Sequence, residues 1–166
     1  MKMQLIQPFI NAADSVLAYA LDGPTKIGDL TMEEDGYRQK GVAAVIAIRG
    51  EIEGRVILDM DSATAVRVAS ALAGCEVDAS EQVVRETVCE LANMVIGNAV
   101  TLLNDRGYQF KVHPPELHPK GKSVRSTEET EAMAMYLDTP AGRVFVNIAM
   151  RYSSQHSSEH TPALTS

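Results

Sequence analysis

The sequence predicts an α+β domain in which helices pack on a largely antiparallel sheet. Three observations carry this reading. The elements run in the order helix, strands, helix, helix, strands. Two pairs of strand-like runs are each joined by a short turn, which gives hairpins and therefore antiparallel pairing. The helical segments repeat apolar residues at three-four spacing, so each has one face to bury. The chain has 166 residues, 45% of them apolar, which is enough to build one domain around one core.

Residues Ile6 to Leu21 read as the first helix, with Phe9, Ile10, Ala13, Val16, Leu17 and Ala20 on the buried face. Asp22-Gly23-Pro24 stops it. A short strand is expected within Lys26 to Glu33. The nearly continuous apolar run Gly41 to Gly50 and the segment Glu53 to Met60 make the first hairpin, turning across Arg49 to Gly54. Asp61-Ser62 caps a helix that ends at Gly74. Ser80 or Asp78 caps a long helix reaching about Asn104. The segment "YQFKVHPPEL" alternates and then meets two prolines. "EAMAMYLDTPAGRVFVNIAMRY" is the second hairpin, turning at Asp138 to Gly142. No internal repeat is visible. The polar tail from Ser153 to Ser166 has no apolar period and is expected to be disordered, which leaves residues 1–152 as the domain.

The net charge of -7 and the lack of a long basic block argue against nucleic acid and anionic membrane as partners. Cys75 and Cys89 show no paired spacing, which points to a reducing compartment. The opening segment has no continuous apolar run and carries Asn11 and Asp14, so it reads as neither signal peptide nor membrane span. A cytoplasmic location is expected.

The long helix carries the functional signal. At about 100° per residue, Val84, Val88, Leu91, Val95 and Leu102 share one face, widened by Ala92, Ile96 and Leu103. Glu86, Glu90, Asn93 and Gly97, spaced four, three and four, form a second stripe nearly opposite. The plain reading is a solvated face. Yet two Glu at i and i+4 repel, and Asn and Gly are poor helix formers. A helix shaped only for stability would carry Lys, Ala or Gln here. A helix shaped to receive a partner would expose functional groups beside a bare stretch of backbone.

The segment "ETVCELANMVIGNA" resembles the signature of the CheC, CheX and FliY phosphatases of bacterial chemotaxis. That pattern is Asp or Ser, three residues, Glu, two residues, Asn, twenty-one residues, Pro. Glu90, Asn93 and Pro115 match its last three positions, and Glu86 stands at the first, where the pattern has Asp or Ser. "GNA" at Gly97 to Ala99 and the opening "QPFINAADSVLAYAL" are also similar to the family. With one signature helix, the chain resembles the single-site, CheX-type members. The resemblance implies a CheC-like fold with the signature helix exposed on one face of the domain, and a homodimer formed through sheet edges. It implies hydrolysis of the aspartyl phosphate of a CheY-like response regulator, in chemotaxis or related two-component signalling. Glu90 and Asn93 would be catalytic, and Glu86, Gly97 and Pro115 would meet the partner. No cofactor is expected on this chain; Mg²⁺ would sit on the regulator.

Two other classes compete with this one. A non-catalytic interaction module of the same fold would dock the helix on a regulator or a flagellar or chemotaxis protein without turnover. A carboxylate-bridged metal protein would need a second acidic helix or a Glu-x-x-His pair, and neither occurs. Among lesser candidates, Asn98 reads as a structural group bonding a neighbouring loop. His156 and His160 lie in the polar tail, and His113 and His118 flank prolines, so none reads as a ligand. The locally basic His118 to Arg125 reads as a solvated loop, and Asp61 as a cap. Ser62 has no partnering His in a nearby motif.

Overall fold

The computed structural model describes residues 3–33, 37–118, 123–124 and 132–153. Three helices, α1 (Met3–Leu21), α2 (Ser62–Ala73) and α3 (Glu81–Asp105), pack on one face of an antiparallel sheet. The long strands are β4 (Val42–Gly50), β5 (Ile52–Met60), β9 (Ala132–Thr139) and β10 (Gly142–Tyr152). The short ones are β1 (Lys26–Ile27), β2 (Thr31–Glu33), β3 (Tyr37–Arg38), β6 (Phe110–Val112), β7 (Glu116–Leu117) and β8 (Ser123–Val124). The sheet runs β1-β9-β10-β5-β4-β6, with β2 also on β9 and β7 also on β4; β3 and β8 form a separate ribbon.

Alternation along the strands builds the core. Ala44, Ile46 and Ile48 of β4, Val56, Leu58 and Met60 of β5, and Val144, Val146, Ile148 and Met150 of β10 turn to the helices. They meet Leu5, Phe9, Ala13 and Leu17 of α1 and Val88, Leu91, Val95 and Leu103 of α3. The opposite face has its own small cluster, Tyr37, Ala43 and Ile57. Beside it Asp59, fully buried, accepts from the Tyr37 hydroxyl, from Lys40 N at 2.6 Å and from Gly41 N at 3.0 Å. One carboxyl group thereby ties the β3 segment and the start of β4 to the end of β5.

The element order reads the same from either edge of the sheet. Exchanging α1, β1 to β3, β4 and β5 with α3, β6 to β8, β9 and β10 converts the strand order into its own reverse. The fold is therefore a doubled helix-and-hairpin unit, with α2 as the link between the halves. The sequence shows no such repeat because only apolar spacing, and not identity, is needed to build each half.

Both hairpins, the Asp61 and Ser80 caps and the stop after α1 agree with the sequence reading. Asp61 accepts from Thr64 N at 2.7 Å, which holds its carboxyl below the usual value, and Ser80 accepts from Val83 N at 3.2 Å. The expected strand at Lys26 to Glu33 is broken in two, since β1 and β2 each pair a separate stretch of β9. Of the residues on the core stripe of α3, Val84, Val88, Leu91 and Val95 are buried with Ala92, Ile96 and Leu103, whereas Leu102 is 40% exposed. The β3–β8 ribbon has no clear signal in two-residue strands. Ser153, assigned to the tail, still belongs to the sheet end, its N–H donating to Glu51 O at 3.0 Å. Residues 154–166, with the expected disorder and with His156 and His160, lie outside the described residues, as does part of the basic segment His118 to Arg125. No helix among the described residues is long and apolar enough to cross a membrane.

The sheet's edges are short. β6 and β7 cover β4 on one side, interrupted by Pro114 and Pro115. β1 and β2 cover β9 on the other, and there Ile27, Leu30 and Met32 stay 38%, 45% and 47% exposed.

Replacing Asp59 by Ala leaves a buried hydroxyl and two backbone N–H groups without their acceptor. The expected loss of stability is on the order of 3 kcal/mol. Urea unfolding monitored by circular dichroism measures it, and a loss below about 1 kcal/mol would mean that water replaces the carboxyl group.

Candidate functional site

Helix α3 is 25 residues long, and its buried face fixes the rotation of everything else on it. Val84, Thr87, Val88, Leu91, Ala92, Val95, Ile96, Ala99 and Leu103 are buried. α1 and α2 pack against it, and it lies over β4 and β5. With that face pinned, Glu86, Glu90, Asn93 and Gly97 all come out exposed on the opposite side. On a helix, residues three and four apart have Cβ atoms about 5–6 Å from each other. The four positions therefore make one continuous strip.

The strip is chemically unspent. Among the described residues, Glu90 and Asn93 have no hydrogen-bond or ion-pair partner. A Cβ built on Gly97 meets nothing within 4 Å, so no intramolecular contact demands glycine there. Thr101 Oγ1 donates to the Gly97 carbonyl at 3.1 Å, which occupies that carbonyl from one turn below. Cys89, beside Glu90, is half-buried, and burial pushes its thiol up, with Arg85 pulling weakly the other way. A protonated thiol of this kind is not a nucleophile.

Glu86 differs from its neighbours in the strip. Gln82 Nε2 donates to its Oε1 at 2.9 Å, one turn toward the N-terminus. Arg85, adjacent in sequence, lies round the helix and faces Glu81 at 4.0 Å, with both side chains more than half exposed. Such a pair contributes little. The Gln82 bond escaped the sequence reading, although Gln at i and Glu at i+4 is the spacing that permits it.

Pro115 is not on the helix. It sits half-buried in the loop between β6 and β7, which both pair with β4 under α3, and β7 also meets α3. The structure thus brings Glu86, Glu90, Asn93 and Gly97 together and leaves Pro115 in a neighbouring loop. Asn98, expected to bond a loop, is instead exposed, with no partner among the described residues. Among the described residues no three His, Cys, Asp or Glu cluster as metal ligands would.

The arrangement offers a carboxylate and a carboxamide, both solvent-facing, beside bare backbone. A carboxamide has one acceptor and two donors, so it can orient a water without titrating. A carboxylate can take a cation from a partner.

Comparison with known proteins gives a consistent picture. The family described as chemotaxis phosphatase CheX matches residues 42–138, which include the whole of α3. Among solved structures, a CheC-like superfamily protein from Shewanella sp. PV-4 is similar, with a TM-score of 0.78 and 23% identity over 91% of this chain and 99% of that one. A chemotaxis protein CheX from Desulfovibrio desulfuricans has a TM-score of 0.77 at 21% identity over 89% and 99%. At these identities the likeness speaks for the fold. The CheX of a CheX–CheY–BeF3–Mg²⁺ complex from Borrelia burgdorferi is 31% identical over 88% of this chain and 97% of that one, with a TM-score of 0.70. No curated protein gives a significant match.

Because a methyl group at Gly97 meets open space, Gly97→Ala should stabilise the free protein, by up to ~1 kcal/mol from helix propensity. Thermal unfolding tests this. A fall in melting temperature would show that Gly97 serves the helix's own packing.

Proposed function

The chain belongs to the CheX family of chemotaxis phosphatases, and we propose that it hydrolyses the aspartyl phosphate of a CheY-like response regulator. The observation that carries the proposal is the solvent-facing, unpartnered Glu90–Asn93 pair on the outer face of α3, beside the bare backbone of Gly97. The Borrelia relative, whose structure is a complex with CheY, supports the choice of partner.

An acyl phosphate is already activated. What the reaction needs is a water held in line with the leaving carboxylate oxygen. In the proposed mechanism Asn93 fixes that water with its carboxamide, as a positioning group and not as a base. Glu90, one turn earlier, receives a basic group beside the phosphoryl site, the regulator's lysine. Gly97 lets the regulator's loops come against the helix. Pro115 enters the partner-binding set through the signature spacing. Mg²⁺ belongs to the regulator and neutralises the phosphoryl oxygens there.

The two residues should fail differently. Asn93→Ala should lower the dephosphorylation rate by ~10²–10³, with folding and regulator binding kept, because a water-positioning group is worth a few kcal/mol only in the transition state. Glu90→Ala should weaken binding and rate together, since it removes a charged contact as well as alignment. Phosphoryl-decay kinetics with parallel binding measurements read both. If Asn93→Ala keeps near wild-type turnover, or if no phosphorylated regulator loses phosphate faster with the protein present, the interaction-module reading replaces this one.

We also propose a homodimer through a sheet edge. The β1–β2 edge is the better-suited side, because Ile27, Leu30 and Met32 leave apolar surface there and no proline interrupts it. Light scattering should give a dimer mass, and Met32→Glu should convert it to monomer. A wild-type monomer at tens of micromolar, on the order of the weakest interfaces that still register, contradicts the proposal.

A further inference from the structure

The strip carries one carboxylate more than the proposed reaction uses. Glu86 lies four residues before Glu90, and two like charges at that spacing destabilise a helix by ~0.2–0.5 kcal/mol. No cationic group of the described residues lies within ion-pair distance of either carboxylate. Glu86 is nonetheless held in place: Gln82 Nε2 grips one of its oxygens at 2.9 Å and leaves the other open. Beside it the surface dips into a shallow hollow of about 470 Å³, lined by Glu81, Gln82, Arg85 and Glu86. Arg85 lines the same hollow and faces Glu81 at 4.0 Å, not Glu86. A hollow walled by an oriented, uncompensated carboxylate fits the long stem and charged end of a lysine or arginine.

We infer that Glu86 is a specificity-determining residue: it receives a second basic side chain of the regulator, about one helical turn from the one that Glu90 receives. The inference rests on the regulator being the partner. Glu reaches one methylene further than Asp and, unlike Ser, carries a charge. The chain therefore discriminates by charge at this position, accepting regulators with two basic groups at that spacing and disfavouring those with one. Its length matters as well, because the Gln82 bond holds the carboxyl group at the reach of a Glu side chain beside the hollow.

Equilibrium binding is the cleanest test, performed with the regulator charged with BeF3 and Mg²⁺, a phosphoryl mimic that is not hydrolysed. Glu86→Gln keeps the shape and the Gln82 contact while removing the charge. It should weaken binding ~5–10-fold at low salt, with the difference shrinking as salt rises. Paired with single Lys→Gln or Arg→Gln changes on the regulator, Glu86→Gln should couple to one basic residue, and that residue should not be the lysine that couples to Glu90→Gln. Gln82→Ala should show part of the same loss. Coupling to no basic residue, or to the Glu90 lysine alone, overturns the inference. Unchanged binding on Glu86→Gln does so too. The phosphatase reading fails separately, by undiminished turnover in the Asn93 variant, and that result leaves the binding cycle readable.

Discussion

The seam between α3 and the sheet is the interaction on which the rest of the structure depends. Val88, Leu91, Val95 and Leu103 are buried against the side chains that β4, β5 and β10 direct upward. Fully burying a side chain of this size contributes about 1.5–3 kcal/mol each. Several such anchors along 25 residues leave the helix one rotation about its own axis. Among the described residues, Glu90 and Asn93 have no side-chain hydrogen bond or ion pair to hold them in register. Their common outward direction is inherited from the residues between them, which are buried.

This division of labour explains why a costly stripe is tolerated. Asn93, Gly97 and the Glu86–Glu90 pair each weaken the helix by tenths of a kcal/mol to about 1 kcal/mol. The buried face offsets that sum many times over. The outer face is free to be chosen for a partner, because stability is supplied elsewhere. The half-buried Cys89 and the Thr101 bond to the Gly97 carbonyl mark the borders of the strip, where packing considerations return.

The doubled topology gives the seam its partner. Two hairpins meet along β5 and β10, with β4 and β9 outside them, and α1 and α3 cover the two halves from the same side. Only α3 carries the Glu-x-x-Asn pair. α1 has the same architectural task without it, and its buried face of Leu5, Phe9, Ala13 and Leu17 fulfils that task by spacing alone. On the other face of the sheet Asp59 fastens the ends of β4 and β5 through backbone donors.

By itself the sequence determined the two hairpins, the three helices, their caps and the face of α3 that carries Glu86, Glu90, Asn93 and Gly97. These depend on periodicity and on local hydrogen bonds, which are written into neighbouring residues. Tertiary structure decided what periodicity cannot express. Leu102 fits the apolar period yet is 40% exposed, because burial requires an element opposite and periodicity alone does not say where one lies. Asn98 is likewise exposed. The break between β1 and β2 follows from their separate pairing to β9, a contact about a hundred residues away in the chain. The two-fold order of the sheet is likewise a property of pairing between distant strands, invisible to any comparison of residue identities. The grip of Gln82 on Glu86 needed coordinates for a different reason: the spacing allows the bond, but a side chain's rotamer, not its position in the chain, decides whether it forms.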